Sequence, residues 1–159
     1  MKNEGVFRKR SRKLVFLSIG IGVLLLCGCK KSDSEVFTQG IQGRVLFYKG
    51  NFMPGGVTGT ITAGEREIYI YLPTTLDDVK STGYVFFSDI KTKLVAMVKC
   101  NSLGYYQVSL PAGEYSIFVK EKSLLYASRS DFRGVINPVE VVSGTITTLN
   151  IDITYEAYF

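Results

Sequence analysis

From residue 40 onward, apolar and polar side chains alternate with period two. Ile41, Gly43, Val45 and Phe47 fall in one phase, and Gln42, Arg44, Leu46 and Tyr48 in the other. The same alternation returns at Ile68, Ile70 and Leu72, at Tyr106, Val108 and Leu110, at Tyr115, Ile117 and Val119, at Val139 and Val141, and at Leu149, Ile151, Ile153 and Tyr155. Successive strand side chains point to opposite faces, so each run predicts a half-buried strand. Gly, Pro, Asn and Ser punctuate the runs, and short strands spaced this way predict an all-β, antiparallel sandwich. No segment carries a 3.6-residue apolar stripe, and residues 74–80 (TTLDDVK) are the best helical candidate, at one or two turns. Residues 104–120 (GYYQVSLPAGEYSIFVK) predict a hairpin. Pro111 presets φ for a turn and Gly113 tolerates a left-handed exit. Residues 49–65 hold five glycines and a proline and predict a long loop, read either as an edge excursion or as a binding loop. Residues 122–138 predict a second loop with a short strand near 124–128.

The first 28 residues follow a different pattern. Six Lys/Arg and one Glu precede or flank an uncharged run, LVFLSIGIGVLLL, over residues 14–26. A basic segment, an apolar segment and then small residues predict a secretory signal peptide. A membrane span needs about 20 apolar residues, which argues against a retained anchor, and a buried core helix fits still less well. The run ends in LLLCGC, and Leu26, Cys27, Gly28 and Cys29 resemble the lipobox of bacterial lipoproteins. The small Gly28 suits the position before the cut, so cleavage falls between Gly28 and Cys29. The resemblance implies that Cys29 is lipidated, by diacylglyceryl transfer to the thiol and acylation of the freed amine. Two or more chains anchor stably where one is marginal. Residues 29–39 then form a polar tether carrying the lipidated Cys29. Lys30 after the cysteine leans towards the outer membrane by lipoprotein sorting resemblance.

Removing the signal changes the charge picture. The whole chain is +5 at neutral pH, but residues 29–159 carry 13 basic and 13 acidic side chains. The basic excess leaves with the signal, and no Lys/Arg run interleaved with aromatics predicts a nucleic-acid partner. The remaining 131 residues suit one domain. Only Cys100 stays as a thiol, in phase with Leu94, Ala96 and Val98, which predicts a buried small hydrophobe. The chain has no histidine, so Ser-His-Asp and Cys-His catalysis and His-containing zinc sites are excluded.

Residues 101–120 resemble the core of carboxypeptidase regulatory-like domains, which have a transthyretin-like (prealbumin-like) fold. Gly104, Tyr106, Leu110, Pro111, Gly113 and Tyr115 occupy the places of that pattern, an L-P-x-G-x-Y turn before an apolar strand. GIQGRV at residues 40–45 resembles the family's opening strand, and residues 137–153 its closing pair. Leu103 stands where an acidic residue is common, and residues 50–99 exceed the usual domain. The resemblance implies a Greek-key sandwich of about seven strands over residues 40–159, used as a non-catalytic accessory module without cofactor or metal.

Candidate chemistry is sparse. Asp77, Asp78 and Asp89, with Glu65 and Glu67, are the acids close in sequence, and a carboxylate pair could hydrolyse a glycosidic bond. Asp131 with Asn137 could offer oxygens to Ca²⁺, though without a known loop spacing. Tyr48, Tyr69, Tyr71, Tyr105 and Phe118 fall out of phase with the expected core. An outward tyrosine face could dock a protein or a glycan, or these rings could pack under the long loops. The sequence therefore predicts a lipid-anchored envelope lipoprotein, outer-membrane by preference, whose sandwich binds an envelope protein. A surface glycan-binding or adhesive module is the alternative, and a carboxylate hydrolase the remote one.

Overall fold

The computed structural model describes residues 36–56 and 58–159. Gly28 and Cys29, the expected cleavage and lipidation positions, lie outside the described residues. The described chain is an all-β sandwich with twelve strands: β1 Gly40–Asn51, β2 Thr60–Ala63, β3 Glu67–Tyr71, β4 Lys80–Thr82, β5 Phe86–Ser88, β6 Leu94–Lys99, β7 Tyr105–Ser109, β8 Gly113–Glu121, β9 Leu124–Tyr126, β10 Pro138–Val141, β11 Ile146–Thr148 and β12 Ile151–Tyr158. Its one short helical element is a 3₁₀ turn, Leu76–Asp78, within the expected 74–80 segment. Twelve strands replace the expected seven or so because β2, β4, β5 and β11 span only three or four residues each, too few for alternation to be visible, whereas β9 falls on the short strand expected near 124–128.

The first sheet is organised around β1. Its first half pairs antiparallel with β7 (Gly40↔Ser109 to Arg44↔Tyr105) and parallel with β11. Its second half pairs antiparallel with β2 (Leu46↔Ala63 to Lys49↔Thr60) and parallel with β12 (Val45↔Ile151 onward). The β1–β11 and β1–β12 ladders are thus parallel within a sandwich expected to be antiparallel throughout. The second sheet runs β4-β5-β9-β8-β3-β6, with β10 also on β8. Ile41, Val45, Tyr106, Ile151 and Ile153 of the first sheet meet Ile68, Ile70, Ile117, Val119, Val139 and Val141 of the second in one core. Cys100 joins it as expected, 2 % exposed, accepting the Arg66 N–H at Sγ over 3.0 Å.

Two loop-level expectations change. Residues 104–120 do not form a hairpin: β7 pairs with β1 and β8 with β3, β9 and β10, so the connection crosses between sheets. Leu110 is buried at the crossing, and the Tyr115 hydroxyl donates to the Pro111 carbonyl oxygen at 2.9 Å. That bond folds the strand start back over the turn and holds the arch. Gly104 precedes it at φ 75°, where a Cβ would stand 2.3 Å from the Val45 carbonyl oxygen. A side chain there meets both backbone strain and a clash. Residues 49–65, expected as a loop, instead hold the end of β1 and the whole of β2. The described residues of this stretch outside these strands are the turn between them and Gly64 and Glu65 after β2. The Asn51 carbonyl accepts the N–H groups of Thr58 and Gly59 at 2.9 and 2.8 Å, and a Cβ on Gly59 would reach within 2.4 Å of the Phe52 ring. The absent side chain therefore lets that ring lie on the hairpin.

The outer face of the second sheet is covered. Phe87, Phe118, Ala127 and Ile136 form a second buried cluster, with Tyr69, Tyr71, Val79, Ile90 and Leu125 packed against it. Phe118 is 0 % exposed, which corrects its expected outward placement. The cover is the 3₁₀ turn and residues 127–137, and it needs polar pins because it crosses a buried strand. Thr74 donates its N–H to Ser116 Oγ at 3.0 Å, and Ile136 donates to the Thr74 carbonyl at 2.8 Å. Asn137 donates from Nδ2 to the Ile117 carbonyl at 2.9 Å. These bonds satisfy backbone groups that burial would otherwise leave unpaired.

Candidate functional site

The cover layer produces the most distinctive cleft. After β9, Ala127 extends the ladder by donating its N–H to the Val85 carbonyl at 3.0 Å. The chain then doubles back. Asp131 Oδ1 accepts the N–H groups of Arg133 and Val135, both at 2.9 Å, and the Asn137 N–H returns to the Arg129 carbonyl at 2.8 Å. Asp131 thereby closes a tight turn with Phe132 at its tip, almost fully exposed. Its carboxyl is held below the usual carboxylate range by these backbone bonds and the Arg133 guanidinium, against an opposing desolvation. Asn137, at φ 45°, anchors the returning limb to β8. The two residues considered for Ca²⁺ are thus committed to shaping this turn.

Two cavities open on either side of the outgoing limb and share Ser128 and Arg129. One, of about 140 Å³, has Phe87, Ala127 and Ile136 as a buried floor and the exposed Leu76 and Tyr84 at its rim. The other, of about 230 Å³, is polar and is lined by Asn137, Asn150, Asp152 and Thr154 beside the buried Tyr126 and Ile151. Tyr126 is held by its hydroxyl, which accepts the Thr154 N–H at 3.1 Å. Among the described residues the Arg129 guanidinium has no hydrogen-bond or ion-pair partner, unlike every other described arginine. Arg44 donates to the Leu103 carbonyl, Arg66 meets Glu121, and Arg133 meets Glu114 and Asp131. Sequence reasoning did not single out Arg129. Nothing in SRSDFRG separates it from Arg133, four positions later and fully engaged.

The four expected tyrosines do not share a face. Tyr69 and Tyr71 lie on β3 and are half-buried against the second cluster, with Tyr71 edge-on to Phe118 at 5.7 Å. Burial pushes the Tyr71 hydroxyl pKa up, and the Tyr69 hydroxyl donates to Glu67 at 3.1 Å. Tyr48 and Tyr105 belong to the first sheet. Tyr48 sits with Phe52 and Phe159 in a three-ring group at the far end of β1, ring centres 5.4 to 6.3 Å apart. Tyr105 is exposed, and its hydroxyl lies 3.0 Å from Gln42 Oε1. The outward tyrosines of the sequence analysis therefore divide between two sheets, and one pair helps cover a core.

The acids fall into two groups, Asp77, Asp78 and Asp89 around the 3₁₀ turn and Glu65 and Glu67 beside Lys99 and Lys120. Asp78 accepts the Thr75 N–H and hydroxyl at 2.9 and 2.8 Å, which caps the 3₁₀ turn and holds its carboxyl below the usual range. The Asp77 backbone carbonyl accepts Lys91 Nζ. Asp89 lies at φ 50° just after β5. Glu67 pairs with Lys120 at 2.9 Å and Glu65 with Lys99. Hydrogen bonding and attraction hold the Glu67 carboxyl low and raise the Lys99 and Lys120 ammonium groups. Among the described residues no three acidic or cysteine side chains gather as a metal-binding group.

Between the sheets, Arg66 Nε meets Glu121 Oε1 at 2.5 Å, and Tyr155 donates its hydroxyl to Glu121 Oε2 at 2.9 Å. The Arg66 guanidinium also lies over the Phe47 ring at 5.6 Å. This network is mostly buried and joins β8 to β12. Burial first, then the bond to Glu121, pushes the Tyr155 hydroxyl up to about 12. It is a stability element rather than an open site. Comparison with protein families, with curated proteins and with solved structures finds no match for this chain.

Proposed function

We propose that this chain is a lipid-anchored lipoprotein of a bacterial cell envelope, outer-membrane by preference, whose sandwich serves as a non-catalytic protein-interaction module of the carboxypeptidase regulatory-like kind. The lipobox-like LCGC at residues 26–29 supports the anchor, and the L-P-x-G-x-Y segment supports the accessory role. The observation that carries the interaction reading is the pinned cover layer. It places exposed Leu76 and Tyr84, and an Arg129 without a partner among the described residues, around a cleft on a buried floor. Aromatic residues and arginine are favoured in interface centres. Of the acids considered for hydrolysis, Asp78 serves a cap and Glu65 and Glu67 serve surface ion pairs, which supports a non-catalytic role for these three. A glycan-binding surface loses its leading support because Tyr48 and Tyr105 lie on one sheet and Tyr69 and Tyr71 on the other.

Two experiments test the proposal. Cys29→Ala should abolish lipid attachment by mass spectrometry and move the protein from the membrane to the soluble envelope fraction. Continued membrane partition of that variant would refute the anchor. Proteolysis of intact against lysed cells then tells which compartment holds the partner, and crosslinking there should join the domain to a protein. Turnover of a glycoside that is abolished by Asp77→Asn or Asp89→Asn would overturn the non-catalytic reading.

A further inference from the structure

We infer that the two-part cleft around Arg129 receives the C-terminus of a partner polypeptide, its free carboxylate on the Arg129 guanidinium and its apolar last side chain in the cavity floored by Phe87, Ala127 and Ile136. The inference rests on the protein-interaction reading and names what that module grips. Three observations carry it.

The first is charge. Arg129 lines both cavities from an exposed position and has no partner among the described residues, and the neighbouring exposed Ser128 hydroxyl likewise has none among them. A guanidinium matches a carboxylate through two parallel N–H···O bonds. The second is the pairing of compartments. Ser128 and Arg129 line both cavities, so a group bound at Arg129 stands at the border between a space of about 140 Å³ with an apolar floor and a polar one of about 230 Å³. A terminal residue has this layout, with its carboxylate and side chain on one α-carbon and its backbone leading away. The third is the hydrogen-bonding set of the polar compartment. Asn137, Asn150 and Thr154 line it with amide and hydroxyl groups, and Asp152 adds its backbone carbonyl, its carboxylate being engaged by the Tyr48 hydroxyl. A polypeptide brings both N–H donors and carbonyl acceptors to such walls. A fatty acid brings a carboxylate and an apolar tail, but no further donor or acceptor along its length for these polar walls.

The probe is an N-acetylated hexapeptide, five alanines followed by phenylalanine with a free carboxylate, titrated by calorimetry against the full processed chain in detergent. Its C-terminal amide and free phenylalanine serve as controls. The free-acid peptide should bind, and the amide should bind about ten to a hundred times more weakly, the range of a charge-assisted bond in a half-open site. Arg129→Gln should bring the acid down to the affinity of the amide without moving the thermal midpoint, since the guanidinium supports no other described group. Tyr84→Ala, at the rim of the apolar cavity, should weaken acid and amide alike. Equal binding of acid and amide by the wild-type chain, or no binding of either at millimolar peptide, overturns the inference. Free phenylalanine binding as tightly as the peptide also overturns it, in favour of a small-molecule pocket. A photo-crosslinking amino acid in place of Tyr84 in cells separates the two levels. A crosslinked protein alongside peptide failure rejects C-terminal recognition alone, whereas failure of both rejects the interaction reading of this face as well.

Discussion

Replacing Phe118 with alanine tests whether the outer face of the second sheet is a core. Phe118 lies on β8 with 0 % exposure, edge-on to Phe87 at 5.8 Å and to Tyr71 at 5.7 Å. Burying a phenylalanine side chain contributes about 1.5–3 kcal/mol by transfer alone. The residual cavity raises the cost of truncation, so Phe→Ala in a core costs about 3–5 kcal/mol. Each edge-to-face pair accounts for about 0.5–1.5 kcal/mol, part of it already inside that figure. The Thr74–Ser116 and Asn137–Ile117 bonds pin the cover from both sides, so the layer collapses little and the upper half of the range applies. A domain of this size has about 5–15 kcal/mol in total, so the variant loses a large share of its stability. Urea unfolding read by circular dichroism measures this directly, with the slope against denaturant held equal between variants. An outward ring on an uncovered sheet would change stability by about 0.5 kcal/mol or less. A loss below about 1 kcal/mol at unchanged slope would therefore refute the second core and return Phe118 to the surface.

Other outcomes follow from the packing and the charges. Gly104→Ala should destabilise by at least about 1 kcal/mol in the same assay, because φ is 75° and the new Cβ would meet the Val45 carbonyl; a neutral result would mean the turn is free to move. Glu121→Ala leaves the largely buried Arg66 charge and the Tyr155 hydroxyl without their acceptor and should cost about 3–5 kcal/mol. The double replacement Arg66→Met with Glu121→Leu should recover most of it, and no recovery would mean that packing rather than charge is at stake. The Tyr155 hydroxyl titrates at about 12 when folded and near 10 when unfolded. Between those values the unfolded chain has shed the proton that the folded chain keeps, so stability falls as pH rises from about 10 to about 12. Tyr155→Phe should flatten that fall in thermal melts taken across the window, and an unchanged slope would assign it to other tyrosines.

Alternation carried the fold a long way. Ile41 with Val45, Ile68 with Ile70, and Ile151 with Ile153 are each buried as their phase predicts, because period two ties facing to sequence directly. It could not tell which strands pair. The turn at Pro111 reads equally as a hairpin or as a crossing, and the pairing of β7 with β1 and of β8 with β3 decides it, with Leu110 buried at the crossing. Phase also misleads where both faces are covered. Residues 115–119 are buried without a break, and the unbroken apolar run IFV within them was the available sign of a two-faced central strand. The cleft was still less legible. Arg129 matters for what it lacks among the described residues, an ion pair, and spacing along a chain does not report an absent partner.

The pairing of β1 has a consequence for how the chain acquires its shape. The register joins Val45 to Ile151 and Asn51 to Tyr158, so the second strand-length of β1 finds its parallel neighbour more than a hundred residues later. Closing loops of that size comes before the contacts that repay it, which places such topologies among the slower folders. The first sheet therefore cannot close until β12 has left the ribosome. A chain that emerges amino end first holds an incomplete first sheet until more than a hundred residues have followed β1.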